Sequence, residues 1–152
     1  MQENRGNILM YQTVDGNTAI EVVLSDDTVW LTIDKMAELF QRNKSTISRH
    51  IKNILECGEL SADSVVAFFA TTANDNKVYN VQYFNLDMII SVGYRVNSLR
   101  GVQFRMWATS VLREYLIKGF AMNDALLKNA GGGNYFDELL SRIRDIRSSE
   151  KV

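Results

Sequence analysis

The sequence has one cysteine, one histidine and no long apolar run among its 152 residues. A single cysteine excludes an internal disulfide and any zinc site built from several cysteines, which agrees with a reducing compartment. We expect Cys57 to be a buried structural thiol. No apolar stretch approaches the roughly 18 residues of a membrane span, and the polar start MQENRGN is unlike a signal peptide. A cytoplasmic protein that does not enter the membrane is predicted.

Motifs typical of enzymes are also missing. The sequence has no His-Glu-x-x-His zinc motif, no phosphate-binding P-loop and no Gly-rich dinucleotide turn. Neighbouring carboxylates such as Asp26 and Asp27 would point to opposite faces of a strand, so they form no convergent acid pair. We therefore expect a protein that is not an enzyme, without catalytic residues, cofactor or bound metal.

Positive charge is concentrated in two stretches. The residues from Gln41 to Asn53 contain four cations and no acid, and those from Met88 to Arg113 contain four arginines and no acid. Since the net charge of the chain is −1, the rest of the sequence carries −9. Such segregation favours a phosphate partner, because counterion release rewards local positive density rather than net charge. Either stretch alone would also fit an ordinary solvated surface.

Composition and turn signals predict strands at the amino-terminal end. A hydrophobic content of 46% and a charged content of 23% are typical of one compact domain. Two β-rich runs, Ile8–Thr13 and Thr18–Leu24, flank Val14-Asp15-Gly16-Asn17, a sequence suited to a tight hairpin turn. A third short strand is predicted at Thr28–Leu31, after Ser25-Asp26-Asp27.

A helix-turn-helix is predicted from Ile33 to Leu55. Thr32 is a suitable N-cap for its first helix, and Ala37 is the small residue required where the second helix crosses. Asn43 is a suitable cap for the second helix, whose inner face would be formed by Ile47, Ile51 and Ile54. The departure from the usual pattern is Gln41, at a turn position often occupied by glycine.

The outer face of that second helix carries the candidate DNA-binding residues. Ser45, Arg49 and Lys52 lie opposite the isoleucines on a helical wheel, with Thr46 and Ser48 near them, and they suit contacts to base edges and phosphates. Arg42 and Lys44 are expected to contact phosphates. His50 lies at the edge of the apolar face, where packing or a phosphate contact is favoured over catalysis. Glu56 follows on the outer side and marks the end of the basic face.

A second β-hairpin is predicted after the helix pair. Its strands would be Ser64–Ala73 and Lys77–Phe84, joined by a turn at Asn74-Asp75-Asn76. This order is typical of a winged helix, in which Lys77 at the hairpin tip would approach the DNA backbone. A hairpin that only completes the amino-terminal sheet fits the sequence equally well.

Helices are predicted for the rest of the chain. Asn85 caps a helix from Leu86 to Val96, and a long helix runs from about Ser98 to Lys118, with Gly119 as its stop signal. A stripe on the long helix predicts a core face or a dimer seam: Phe104, Trp107, Ala108, Val111 and Tyr115. On the same helix, Arg100, Arg105 and Arg113 would bind phosphates or the acids of a partner.

The carboxyl-terminal segment reads as a linker and an amphipathic helix. Gly131-Gly132-Gly133 separates a domain at residues 1–130 from a segment at residues 131–152. The helix at Tyr135–Arg147 carries an apolar stripe too extensive to remain uncovered: Phe136, Leu139, Leu140, Ile143 and Ile146. We expect this stripe to pack on a second copy or on the body of the chain.

Nearly the whole chain resembles a known family. The stretches Thr28–Leu60, Tyr83–Asn123 and Tyr135–Glu150 are similar to the RhuM family of bacterial virulence-associated proteins. Residues Val78–Phe120 are more loosely similar to the amino-terminal domain of phage antirepressors and baculovirus BRO proteins, through Phe104, Trp107 and the Gly119-Phe120 end. The resemblance implies a DNA-binding module derived from a mobile element. It also implies that the sequence is an amino-terminal part of a longer protein.

The fold expected from these observations is α+β. It comprises a winged-helix-like helix-turn-helix and two β-hairpins, followed by helices and a carboxyl-terminal amphipathic helix. The leading functional hypothesis is duplex DNA binding as a dimeric transcriptional regulator or antirepressor-like protein. The alternative is a protein-interaction module that acts on another regulator or effector through the Phe136–Ile146 stripe.

Overall fold

The α+β fold is confirmed in a computed structural model that describes residues 4–13, 16–25, 28–129 and 134–150. Predictions that concern Val14, Asp15, Asp26, Asp27 and Gly131–Gly133 lie outside these residues. The elements follow in the order β1 (Asn4–Thr13), β2 (Gly16–Ser25), β3 (Thr28–Leu31), α1 (Ile33–Phe40), α2 (Lys44–Glu56), α3 (Ala62–Val65), β4 (Val66–Thr72), β5 (Val78–Asn85), α4 (Leu86–Arg95), α5 (Leu99–Lys118), α6 (Asp124–Asn129) and α7 (Asn134–Ser149).

Both predicted hairpins belong to one antiparallel sheet. Its strand order within the described residues is β1-β2-β3-β5-β4. The two hairpins meet where β3 pairs with β5, with Trp30 opposite Asn85 and Leu31 opposite Phe84. The second hairpin therefore completes the sheet begun by the amino-terminal strands, and its role as a wing stays a prediction.

Helices α1, α2 and α4 cover one face of this sheet. Because side chains alternate along a strand, Val29 and Leu31 face the helices while Trp30 faces the other way. The helical contribution to the core includes the three predicted isoleucines and the residues Met36, Leu39, Phe40, Met88, Ile89 and Val92. On the opposite face, the Trp30, Phe69 and Tyr83 rings pack edge to face. The inner face predicted for the second helix is therefore confirmed.

The predicted strand at Ser64–Ala73 begins later than expected. Ser64 and Val65 belong to the short helix α3, and β4 starts at Val66. The Val65 N–H donates to the Ser61 carbonyl at 3.2 Å, and the Asn85 amide donates to the Ser64 carbonyl at 3.1 Å. These contacts hold a helical turn in a segment whose β-branched composition indicated a strand.

Two glycines allow α4 and α5 to approach closely. A Cβ at Gly93 would lie 2.5 Å from Cε1 of Phe104, and one at Gly101 would lie 2.3 Å from the Val96 carbonyl oxygen. Phe104 is buried, and its ring contacts those of Phe40, Tyr94 and Trp107.

The stripe predicted on the long helix is mostly exposed. Phe104 is buried and Ala108 half-buried, whereas Trp107, Val111 and Tyr115 are exposed. The core interpretation therefore holds for Phe104 and is wrong for these three residues, because the helices that pack on the sheet contact α5 near its amino-terminal end. The alternative, a dimer seam, stays a prediction.

Cys57 is exposed, so the prediction of a buried thiol is wrong. It is the C-cap of α2 and lies beyond the last buried isoleucine of that helix, Ile54. Its Sγ donates to the Ile54 carbonyl at 3.3 Å. Gly58 follows with a φ of 77°, which turns the chain away from the helix.

The described chain forms two compact units, residues 1–110 and 111–152, with their boundary inside α5. The second unit contains the end of α5, α6 and α7. Helix α7 confirms the predicted amphipathic helix and exposes Phe136, Leu140, Ile143 and Ile146. A division between residues 130 and 131 stays a prediction. Among the described helices, none combines the length and apolar character required to cross a membrane.

Candidate nucleic-acid interface

A three-residue connection fixes the geometry between α1 and α2. Gln41 adopts φ 52° and ψ 50°, a left-handed conformation that favours glycine, and its side chain is exposed to solvent. The Arg42 N–H donates to the Ala37 carbonyl at 3.1 Å, which closes the end of α1. The Asn43 side chain then accepts from the Thr46 N–H at 2.9 Å and starts α2. The turn therefore tolerates a residue other than glycine.

The segment between α4 and α5 forms hydrogen bonds with the α1–α2 connection. The Ser98 hydroxyl donates to the Phe40 carbonyl at 2.8 Å, and the Arg42 guanidinium donates to the Asn97 carbonyl. Ser98 also accepts from the Gly101 N–H at 3.0 Å and so caps α5, which begins at Leu99 rather than at Ser98. The orientation of α2 thus depends on contacts far along the chain.

The burial of three isoleucines determines which face of α2 meets solvent. Ile47, Ile51 and Ile54 are at most 5% exposed. The opposite face presents four polar residues predicted for DNA binding, all of them exposed: Ser45, Ser48, Arg49 and Lys52. The Ser45 hydroxyl donates to the Asn43 side chain at 2.9 Å. Thr46 and His50 lie half-buried at the flank, as expected for His50.

Two of the candidate cations pair with acids near α2. The Lys44 ammonium lies 2.6 Å from the Asp34 carboxylate, and the Lys52 ammonium lies 3.9 Å from Glu56. All four side chains are largely exposed, so each pair contributes about 0–1 kcal/mol. Arg49 has no acidic partner within the described part of the chain. Its charge is therefore available to an anion.

His50, on the flank of α2, lies in the positive field of three arginines. Burial lowers the pKa of His50 below its ordinary value, and the positive charges of Arg49, Arg95 and Arg42 lower it further. Arg95 ends α4, and its guanidinium donates to the carboxylate of Glu59. This bond raises the pKa of Arg95. Sequence reasoning placed Arg95 in a basic stretch but did not connect it with α2, because the two are far apart in the chain.

Comparison with family models relates part of this chain to a known protein family. Residues 64–152, more than half of the chain, match the virulence protein RhuM family. The chain belongs to the RhuM family. The RhuM match begins within α3, so α1 and α2 precede it. No curated protein and no solved structure matches the chain. The similarity to phage antirepressors and BRO proteins stays a prediction.

The remaining predicted site residues of this RhuM family member lie in different surroundings. Arg105 is half-buried and donates to the Val96 carbonyl at 2.8 Å, so it stabilises the end of α4. Arg100 is half-buried as well. Lys77 is exposed at the tip of the second hairpin, where its backbone N–H donates to Asp75 at 3.0 Å. Gln82, five residues further along the same hairpin, borders a groove beside α2. At about 3.3 Å per residue, Lys77 lies roughly 16 Å from that groove along the strand.

Proposed function

We propose that this protein binds duplex DNA in the cytoplasm through the exposed face of α2, as a transcriptional regulator or antirepressor-like protein of mobile-element origin. One observation carries the proposal. The buried isoleucines fix the rotation of α2 so that Ser45, Ser48, Arg49 and Lys52 all face solvent. An α-helix fits the major groove, and these residue types suit contacts to base edges and phosphates. The α1–α2 pair would then be a helix-turn-helix with α2 as its recognition helix.

The surrounding charges support the same assignment. Lys44 and Arg42 lie at the amino-terminal end of α2, where they would contact phosphates on either side of the groove. The pairs Lys44–Asp34 and Lys52–Glu56 are exposed, so exchanging a carboxylate for a phosphate costs little. Base contacts are assigned to Arg49, Ser45 and Ser48, because none of them is paired with an acid in the described structure.

Fluorescence anisotropy with a labelled mixed-sequence duplex at low salt tests this proposal. We expect micromolar or tighter binding that weakens as salt is added. A plot of log affinity against log salt concentration should fall with a slope of about one per phosphate contact. Arg49→Ala and Lys52→Ala should each weaken binding, by about tenfold for Arg49, which is assigned a base contact. Lys35→Ala is the matched control, because Lys35 is a cation of α1 paired with Glu38. Equal effects of Lys35→Ala and Arg49→Ala would contradict the assignment to α2.

We also propose self-association through α7, because its apolar face is exposed in the described structure. An isolated helix of this size is marginally stable in water, so Phe136, Leu140, Ile143 and Ile146 favour a partner. Asp137 lies in the first turn and Glu138 follows it, whereas Arg142, Arg144 and Arg147 outnumber Asp145 toward the carboxyl-terminal end. An antiparallel pair of identical helices places the acidic end of each near the basic end of the other. The partner we assign is therefore a second copy of this chain.

Light scattering after size exclusion tests the α7 proposal on the full chain. We expect a dimer that becomes a monomer in the double variant Leu140→Glu, Ile143→Glu. Ser141→Glu adds a charge at an exposed position between them and should leave the dimer intact. An unchanged mass for the double variant would exclude this face as the dimer contact. A dimer would present two α2 helices to a palindromic site with half-sites roughly 34 Å apart.

A further inference from the structure

A carboxylate holds one of the arginines beside α2. Glu59 follows the C-cap of α2 and the left-handed Gly58, and its side chain reaches α4. There it accepts from the Arg95 guanidinium and, at 3.3 Å, from the Ser91 hydroxyl. Ser91 and Arg95 are four residues apart, so they lie on the same face of α4. Glu59 therefore receives the two donors that this face directs toward α2.

The same corner of the fold brings Arg42 close to the end of α4 that carries Arg95. Arg42 donates to the carbonyl of Asn97, two residues beyond the end of α4, so it lies beside the terminus that carries Arg95. Besides burial, the positive charges of Arg49, Arg95 and Arg42 lower the pKa of His50, which agrees with a positive field on this flank of α2. A carbonyl is neutral, so it leaves the charge of Arg42 uncompensated. Of these three arginines, Arg95 is the one that pairs with an acid in the described residues.

We propose that Arg42 and Arg95 form a phosphate-binding site on the α4 side of α2, and that Glu59 occupies Arg95 until a DNA phosphate replaces its carboxylate. This inference rests on the proposed DNA-binding function. A phosphate presents the same paired oxygens to a guanidinium as a carboxylate does. The Arg95 and Glu59 side chains are 36% and 44% exposed, so water can enter and the exchange does not create a buried charge. Ser91 then becomes free to donate to the incoming phosphate.

The inference predicts opposite effects for the two partners of the pair. Glu59→Gln removes the competing charge and keeps the shape of the side chain, so DNA affinity should rise by roughly twofold to fivefold. Arg95→Gln removes a phosphate contact, so affinity should fall several-fold and the salt slope should decrease by about one. Both residues are partly exposed, and thermal unfolding should confirm that both variants fold like the original chain.

A double-mutant cycle in the same anisotropy assay distinguishes this exchange from a general effect of charge. In an Arg95→Gln background, Glu59→Gln should give little or no gain, because its carboxylate no longer has Arg95 to occupy. Glu56→Gln is the matched control, since Glu56 pairs with Lys52 and any gain it gives should be independent of Arg95. A gain for Glu59→Gln that persists without Arg95 would overturn the proposed exchange.

The outcomes also separate this inference from the function on which it rests. If Arg49→Ala weakens binding while Glu59→Gln and Arg95→Gln leave it unchanged, α2 binds DNA and the additional site is wrong. If the original chain shows no salt-dependent binding to the duplex, both proposals are overturned. If Arg95→Gln and Glu59→Gln change the affinity in opposite directions and the cycle is not additive, the phosphate site and the role of Glu59 are supported together.

Discussion

Replacing Gly93 by alanine tests the close contact between α4 and α5. In an open helix interior, a change from glycine to alanine stabilises by about 0.5–1 kcal/mol. Here the new Cβ would lie 2.5 Å and 2.6 Å from two atoms of the Phe104 ring. That ring is 1% exposed and is surrounded by other aromatic rings, so it cannot swing aside freely. Overpacking of this kind costs about 1–3 kcal/mol.

The steric cost therefore exceeds the gain in helix propensity, and Gly93→Ala should destabilise the protein by about 1–2 kcal/mol. Urea unfolding followed by circular dichroism measures this change. The double variant Gly93→Ala, Phe104→Leu should lose about 1 kcal/mol less stability than the sum of the losses in the two single variants, because the smaller side chain removes the clash. Stabilisation by Gly93→Ala alone, as at an open helical glycine, would refute the reasoning.

Three further predictions concern the helix pair. Asn43→Ala removes the cap of α2 and should lower the free energy of unfolding by about 1 kcal/mol, whereas Asn43→Asp should preserve it in the same urea titration. Gln41→Gly should leave stability unchanged or raise it by up to about 1 kcal/mol, while Gln41→Val should lower it, because the left-handed conformation penalises a β-branched residue. The folded chain lowers the pKa of His50 below 6.5, so the unfolded chain binds the proton more readily, and stability should fall as pH decreases from 7 through 6.5 toward the folded value. Urea midpoints at several pH values should show a smaller fall in this window for His50→Gln.

Local signals predicted the helix pair because its determinants lie within a few residues of one another. Thr32, Asn43 and Asn85 each accept the backbone hydrogen bond expected of an N-cap. The spacing of the isoleucines on α2 likewise fixed its buried side, and the same periodicity fixed its exposed side. The exposed face of α2 that we propose to bind DNA could therefore be predicted from the sequence.

Features that depend on distant residues could not be predicted from local patterns. The pairing of Trp30 with Asn85 and the bond between Glu59 and Arg95 join parts of the chain that no local pattern connects. The start of β4 was misplaced because contacts from Ser61 and Asn85 hold Ser64 and Val65 in a helical turn. Composition alone favours a strand there.

The junction between β3 and β5 has a consequence for how this RhuM family member folds. The segment with family similarity starts at residue 64, yet β5 within it completes its ladder with β3, which comes before the helix pair. Neither side of residue 64 can close the sheet by itself, so we expect α1, α2 and β5 to open in one cooperative event, with similar free energies of amide hydrogen exchange. Grafting α1 and α2 onto another scaffold would separate α1 from β3 and β5, and α2 from α4, which they contact in this fold.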